Sequence, residues 1–509
     1  MFKKFTSTLA GASLFIAAFG IISKGVGFLR EILFASLYGL SIEFDIYLIG
    51  AIIPLIINTI ILSLGQNYII PKYNELRSKD DISSLQFIQP AFYLFLSVGI
   101  ILSLTLYLLS DLIISSFILH DFSLTEIAST IFNLFLITVP ITCCTSVLIA
   151  YQQANFEFRF PVISNLLLNF MVLIIVFTIR GLNTYAIPIG YIIGSFLQLF
   201  YLIYKSKEIF IFQEGFLKSL KQLGKLASST LVVIILIESI GQLYVLSDRL
   251  FYSQVTSGGI SALNYALTIY MLPIAIISSA VSTVIFPKFS EFHSKRIFSN
   301  LDKILNEALI VNVLIFTPIM LLFIYHGDFI LKIIFERGKF SESDTILTSN
   351  VLLYYSLSII IYAAYFILNK IIYSAGLIKK LLFITIVGIL IKIILNYLFV
   401  RNMEQDGLAL STSISFIFFF IASFFIVYNK FGFQSRIFFF NELIFHLLIG
   451  IFSIYFSKQI SSLLYQSYFI SLYEMIIFLT IYCITIFKLK LSSSQTFIRL
   501  INNIRFRSN

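Results

Sequence analysis

Apolar residues in this chain fall into long runs broken by short polar stretches, and each run matches the roughly 20 residues a helix needs to cross a hydrocarbon layer. The runs lie at approximately 6–29, 44–66, 86–109, 127–151, 161–180, 184–204, 226–247, 260–286, 304–325, 347–374, 379–400, 408–428, 438–456 and 467–487. This pattern predicts an all-α polytopic membrane protein with about fourteen transmembrane helices.

Composition points the same way. Of 509 residues, 59% are hydrophobic and 12% charged, with a mean hydropathy of +0.97. A soluble domain carries about a quarter charged residues, so this chain has too little polar surface to cover such a core. Lysine and arginine give the orientation. With Lys3 and Lys4 inside, 24 of the 35 cationic residues fall on the N-terminal side of the membrane, against about seven opposite. Both termini are therefore expected in the cytoplasm. The net charge of +10 is mostly this topological bias and gives no argument for a nucleic-acid partner. The basic start resembles a signal peptide, but no small-residue cleavage site closes it and the apolar stretch continues to Arg30, so it reads as the first helix. Cys143, Cys144 and Cys483 form neither a disulfide framework nor a metal spacing and are expected to pack. Tryptophan is absent, which leaves interfacial anchoring to tyrosines near helix ends such as Tyr38, Tyr68, Tyr73 and Tyr204.

The chain also repeats itself. Arg30, Asp45, Pro54 and the segment Pro71-Lys72-Tyr73-Asn74-Glu75 return as Arg249, Asn264, Pro273 and Pro287-Lys288-Phe289-Ser290-Glu291, at an offset of about 219 residues for the first three. Six helices separate the two copies, and an even number preserves orientation. The expected architecture is two parallel six-helix repeats around a central cavity, plus two C-terminal helices. The domains are then an N-lobe at 1–204, a cytoplasmic amphipathic linker at 205–225, a C-lobe at 226–430, and helices 13–14 with a basic tail at 431–509. The linker, with Lys218, Lys221 and Lys225 spaced three and four apart, reads as a helix lying on the anionic inner leaflet.

Charges inside apolar runs are where chemistry is sought, because each costs a few kcal/mol at mid-membrane unless it faces a cavity or a partner. Helix 1 carries Ser23, Lys24, Arg30 and Glu31, with Ser23, Gly27 and Arg30 on one face. Gly25 and Gly27 are expected to loosen this helix and admit a close neighbour. The competing reading makes Arg30 and Glu31 markers of the outer interface. Asp45, near the start of helix 2, is a natural ion partner for Lys24 or Arg30. Helix 7 ends in Asp248-Arg249, and helix 11 places Lys392 and Asn396 four apart on one face deep in an apolar run, with Ser411 and Thr412 one turn into helix 12. A buried lysine calls for an acidic partner, and Asp248 is the first candidate, with Glu238 the second. Lys370 and His446 read as structural.

The block Ser23-Lys24-Gly25-Val26-Gly27-Phe28-Leu29-Arg30-Glu31, then Phe44-Asp45 and Pro71, resembles the opening of the MurJ/MviN family of lipid II flippases, part of the MATE/MOP-type superfamily. Asp248-Arg249, Ser261-Ala262-Leu263-Asn264-Tyr265-Ala266, Tyr270-Met271-Leu272-Pro273 and Phe335-Glu336-Arg337-Gly338-Lys339-Phe340 are similar to the family's middle, so the match covers roughly residues 10 to 430. The resemblance implies an alternating-access flippase of the bacterial inner membrane that carries an undecaprenyl-diphosphate-linked saccharide to the periplasmic leaflet. It implies substrate-binding roles for Ser23, Lys24, Arg30, Glu31, Asp45 and Arg249. It also implies a cation site, sodium in some members, at Asp248, Lys392, Asn396 and Thr412. No cofactor is implied, coupling falls to sodium or the membrane potential, and the partners are the lipid-linked saccharide and membrane lipids, with the protein expected as a monomer.

Three departures stand out. Thr268 replaces the expected second-half cavity arginine, the stretch Asn58 to Gly65 is neutral where the family carries charge, and Lys392 stands where a neutral ligand is usual. The loss of cavity charge makes a polysaccharide or O-antigen repeat unit on the same carrier the close rival substrate. A MATE-like drug antiporter would want an acid-lined cavity, which Lys24 and Arg30 oppose. A membrane glycosyltransferase would want a long outer loop with an acid or His constellation, and the longest outer loop expected, from His326 to Ser343, is partly apolar. With no nucleophile triad, zinc spacing or phosphate-cradling loop in the sequence, the chain reads as a transporter, not an enzyme.

Overall fold

The computed structural model describes residues 9–78, 81–118, 121–210, 229–278, 298–431, 436–462 and 470–505. The expected linker at 205–225 and the second Pro-Lys-aromatic segment at 287–291 lie largely or wholly outside them. The described residues are helical nearly throughout, and the helices follow the apolar runs. They are α1 (Leu9–Tyr38), α2 (Ile42–Arg77), α3 (Asp81–Leu108), α4 (Phe122–Ala154), α5 (Arg159–Thr178), α6 (Ala186–Lys205) and α7 (Ser229–Arg249). Then come α8 (Gly259–Pro273), α9 (Phe298–Phe335) and α10, which is broken by a 50° bend between Glu342–Ser356 and Ile359–Ile372.

One continuous helical stretch, Ile378–Phe431, is 54 residues long. Straight, it would extend about 80 Å, far more than a bilayer. It reverses at Glu404, whose φ of 49° and ψ of −128° are not helical. Two contacts prove the reversal. A Cβ on Gly407 would lie 2.8 Å from the backbone of Phe399, and one on Gly388 would lie 2.1 Å from the Phe419 ring. Residues 31 apart along a straight helix would be separated by about 46 Å, so 378–403 (α11) and 405–431 (α12) form an antiparallel hairpin. The chain closes with α13 (Arg436–Ser461), α14 (Ile470–Leu489) and α15 (Ser492–Arg505). Among the described residues, ten helices are long and apolar enough to cross a membrane, or eleven with the bent α10, and the α11–α12 hairpin counts as one of them. With α1 and α7, this is consistent with the expected fourteen.

Local chemistry explains several starts. Ser41 accepts from the Phe44 amide at α2, Asp121 accepts from the Ser123 and Leu124 amides at α4, and Ser341 with Asp344 makes a capping box at α10. Asp121 lies outside the spans, where hydrogen bonds from the Ser123 side chain and the Leu124 amide hold its carboxyl below the usual range. The expected outer loop from His326 to Ser343 is corrected: α9 runs on to Phe335 through a kink at His326, leaving only a short turn before α10. The apolar run ends near His326, but the backbone continues to pair, because a helix satisfies its own polar groups wherever water is scarce.

The chain divides into two compact units, Met1–Ser261 and Ala262–Asn509. In the first, α2 and α3 both lie on α4, α5 packs against α6, and α7 packs on α2. In the second, α9 is flanked by α10, α13 and α14, around a core of Leu321, Ile449, Phe478, Tyr482 and Ile486. His446 is fully buried there, with its ring nitrogens 2.7 Å from the Tyr482 hydroxyl and 2.8 Å from that of Ser493, which fixes the start of α15.

Candidate functional site

α1 positions the first group of candidates. The helix extends to Tyr38, so Arg30 sits eight residues, or about 12 Å, inside its end. Its guanidinium is fixed from three sides: to Glu31 at 2.9 Å, to the Asn169 side-chain oxygen at 3.2 Å and to the Tyr191 hydroxyl at 2.5 Å. Its carbon also stands 5.5 Å from the centre of the Tyr191 ring and 5.8 Å from that of Phe34. One turn and more back along α1, Ser23 accepts a 2.7 Å hydrogen bond from Asn165, and Lys24 is exposed.

Asn165 and Asn169 lie four apart on α5 and are themselves joined, the Asn169 amide donating to the Asn165 carbonyl at 2.9 Å. They form a polar row facing Ser23 and Arg30. Sequence reasoning missed this row, although two asparagines at helical spacing in an apolar run were a visible signal. Tyr191 had no such signal among 28 tyrosines. A guanidinium oriented by neutral acceptors and compensated by one carboxylate keeps its charge in a membrane and can bind a phosphate or diphosphate. The role given to the glycines is corrected. Among the described residues, a Cβ on Gly25 or Gly27 would meet nothing within 4 Å, so neither admits a close neighbour from them, and α1 stays helical through both.

Asp45 is also corrected. It is fully buried, and it pairs with neither Lys24 nor Arg30 in the manner expected. Its carboxylate accepts from the backbone amides of Gly258 and Ser261, each at 2.7 Å, and from the Ser261 hydroxyl. These are the orphan donors at the start of α8, which has a glycine where a capping side chain would stand. Gly258 has φ +82°, and a Cβ there would fall 2.4 Å from the Leu40 carbonyl oxygen, so only glycine fits. Arg249, also buried, donates to the Ile260 carbonyl at 3.1 Å. Two residues expected at the substrate thus meet at this helix start, because a carboxylate buried away from water takes whichever amides satisfy it.

The remaining candidates are buried as well. Asp248 closes α7 in the first unit. In the second, Lys392 and Asn396 are fully buried on α11, and the hairpin register sets them beside residues 410–415 of α12, which include Thr412. Thr412 donates to the Leu408 carbonyl at 3.0 Å and Ser411 to that of Gly407 at 2.8 Å, leaving oxygen lone pairs as acceptors. A sodium ion does not fit this donor set, since a lysine ammonium carries charge and offers no lone pair. At the other two departures the structure shows ordinary local pairing: Asn58 donates to Thr138 at 2.8 Å and Thr268 to the Asn264 carbonyl at 2.9 Å.

Comparisons with known proteins identify the family and the fold. The family described as "Lipid II flippase MurJ" matches residues 34–482. The chain is similar to the "Probable lipid II flippase MurJ" of Buchnera aphidicola subsp. Schizaphis graminum, 27% identical over 477 residues, covering 88% of this chain and 90% of that protein. It is similar to the "Lipid II flippase MurJ" of Thermosipho africanus, 26% identical over 420 residues, covering 80% and 83%. Among solved structures, "Lipid II flippase MurJ, inward closed conformation" aligns with a TM-score of 0.76 at 23% identity over 92% of this chain and 97% of that one. An inward-facing multidrug resistance MATE family transporter aligns at 0.66 and 12% identity, covering 81% and 94%.

Proposed function

The chain belongs to the lipid II flippase MurJ family, and on that premise we propose that it is an alternating-access flippase carrying an undecaprenyl-diphosphate-linked saccharide from the inner to the outer leaflet of the bacterial cytoplasmic membrane. The observation that carries this reading is Arg30, a cation eight residues inside α1 and oriented by Glu31, Asn169 and Tyr191. A diphosphate cannot enter hydrocarbon without counter-charge, and a preoriented guanidinium supplies it through charge-assisted bonds. Lys24 adds a second, less constrained cation on the same helix. The cationic bias of the loops supports both termini on the cytoplasmic side.

Lys392 is proposed as a tethered cation that replaces a metal ion. Transport would then draw on the membrane potential without sodium.

A second substrate reading has specific support. Neutral Asn58 and Thr268, each paired locally, give a less charged cavity than lipid II flippases of this family carry, which suits a polysaccharide repeat unit on the same carrier. Expression in a strain conditionally lacking its lipid II flippase, in parallel with one lacking a polysaccharide flippase, separates the two. Rescue of the first strain supports lipid II, rescue of the second alone supports the rival, and rescue of neither rejects both.

A further inference from the structure

α2 and α3 are consecutive helices, yet along the stretch before the end of α2 they scarcely touch each other. Both rest on α4 instead, and a groove of about 440 Å³ is left between them. It extends from Ile57 to Ile69 on α2 and from Phe87 to Leu102 on α3, about 20 Å at 1.5 Å per residue. α7 closes one side with Ile235 and Ser239, and Cys143 of α4 contributes to the floor. Among the described residues of the lining, Tyr68, Cys143 and Ser239 alone carry a polar side-chain atom.

The lower wall is built by a local irregularity. α2 makes a π-turn at Gly65–Ile69, and the extra residue brings Ile69 onto the face of Ile61, Leu64 and Tyr68. The Ser146 hydroxyl of α4 donates to the Ile61 carbonyl at 2.7 Å, which ties α2 to α4 just before the turn. Beyond the turn, Ile70–Arg77 carries two cations against one acid: Lys72 pairs with Glu75 at 2.8 Å, and Arg77 donates to the neutral Asn155 at 2.9 Å, so the segment keeps a net positive charge. On the orientation proposed above, that end meets the cytoplasmic surface, where lipid headgroups are anionic.

Such a groove does not stay empty, because its walls would lose their dispersion contacts, and water has too few polar partners in it. The bilayer supplies the only abundant filling of matching shape. We propose that the groove holds one hydrocarbon chain of an anionic glycerophospholipid of the cytoplasmic leaflet, with its phosphate at Lys72 and Arg77. Among the described residues, α1, which carries Arg30, contributes nothing to the lining, which favours a resident lipid over the chain of the transported carrier. The bound chain fills the space between α7 and the α2–α3 pair and supports α7 against them.

The test uses the full-length protein in vesicles of phosphatidylethanolamine with trace phosphatidylglycerol bearing a chain diazirine, irradiated and mapped by peptide mass spectrometry. Adducts are expected within 57–69 and 87–102. Val98 is half exposed, so V98W is tolerated by the fold, and it should cut these adducts about tenfold while lipid adducts on α14 stay constant. Lys72→Gln with Arg77→Gln should erase the preference for phosphatidylglycerol over a diazirine phosphatidylethanolamine. Undiminished groove labelling in Val98→Trp, equal labelling by both lipids in wild type, or stronger labelling by a diazirine polyprenyl phosphate would overturn the proposal. Flipping is not the readout, so these outcomes stand apart from those of the substrate assignment.

Discussion

Asp45 and Ser261 lie 216 residues apart in sequence and share two hydrogen bonds, one to the Ser261 amide at 2.7 Å and one to its hydroxyl. The Asp45 carboxylate does for α8 what a capping side chain usually does from within the same helix, and it is buried while doing so. Asp45→Ala leaves the Gly258 and Ser261 amides without an acceptor and should lower stability by about 1–3 kcal/mol. Asp45→Asn keeps one acceptor oxygen and should lose less. Thermal unfolding in detergent should rank wild type above Asn above Ala, and indistinguishable midpoints would refute the cap.

Arg30→Ala should reduce flipping about 10- to 100-fold with normal membrane insertion, the loss expected for a charge-assisted contact to a diphosphate. Asn169→Ala removes a neutral partner that only orients the guanidinium, and about fivefold is expected. Arg30→Lys keeps charge but not the fork and should fall between them. Unchanged flipping in Arg30→Ala would return the residue to the role of an anchor.

The glycines separate cleanly. Gly258→Ala places a Cβ 2.4 Å from the Leu40 oxygen at a φ of +82° and should destabilise by at least about 1 kcal/mol. Gly25→Ala and Gly27→Ala meet open space, and each should raise helix stability by up to about 1 kcal/mol. Differential scanning fluorimetry on the three variants checks both signs, and destabilisation by Gly25→Ala would show that α1 needs its flexibility.

If Lys392 serves as a tethered cation, vesicle transport in wild type proceeds equally with and without sodium, and Lys392→Asn acquires a sodium requirement. Strict sodium dependence of the wild type would end this assignment.

Reporter fusions after Lys218 and Asn509 should read cytoplasmic, and one at Ser341 periplasmic. A periplasmic signal at Asn509 would contradict the even helix count.

The length of each apolar run determined where helices lie, because a bilayer of fixed thickness demands about 20 apolar residues and a helix that satisfies its own backbone. Caps at Ser41, Asp121 and Ser341, and the turn between α11 and α12, follow from residues only a few positions apart. The cationic character of α1 was equally legible. Which faces meet was not. In a soluble helix an apolar stripe marks the buried face, but here lipid and protein interior are alike in polarity, so no stripe distinguishes them. The contacts of Arg30 with Asn169 and Tyr191, and of Asp45 with the start of α8, therefore had to wait for tertiary packing, which alone decides the polar group that a buried charge finds as its partner.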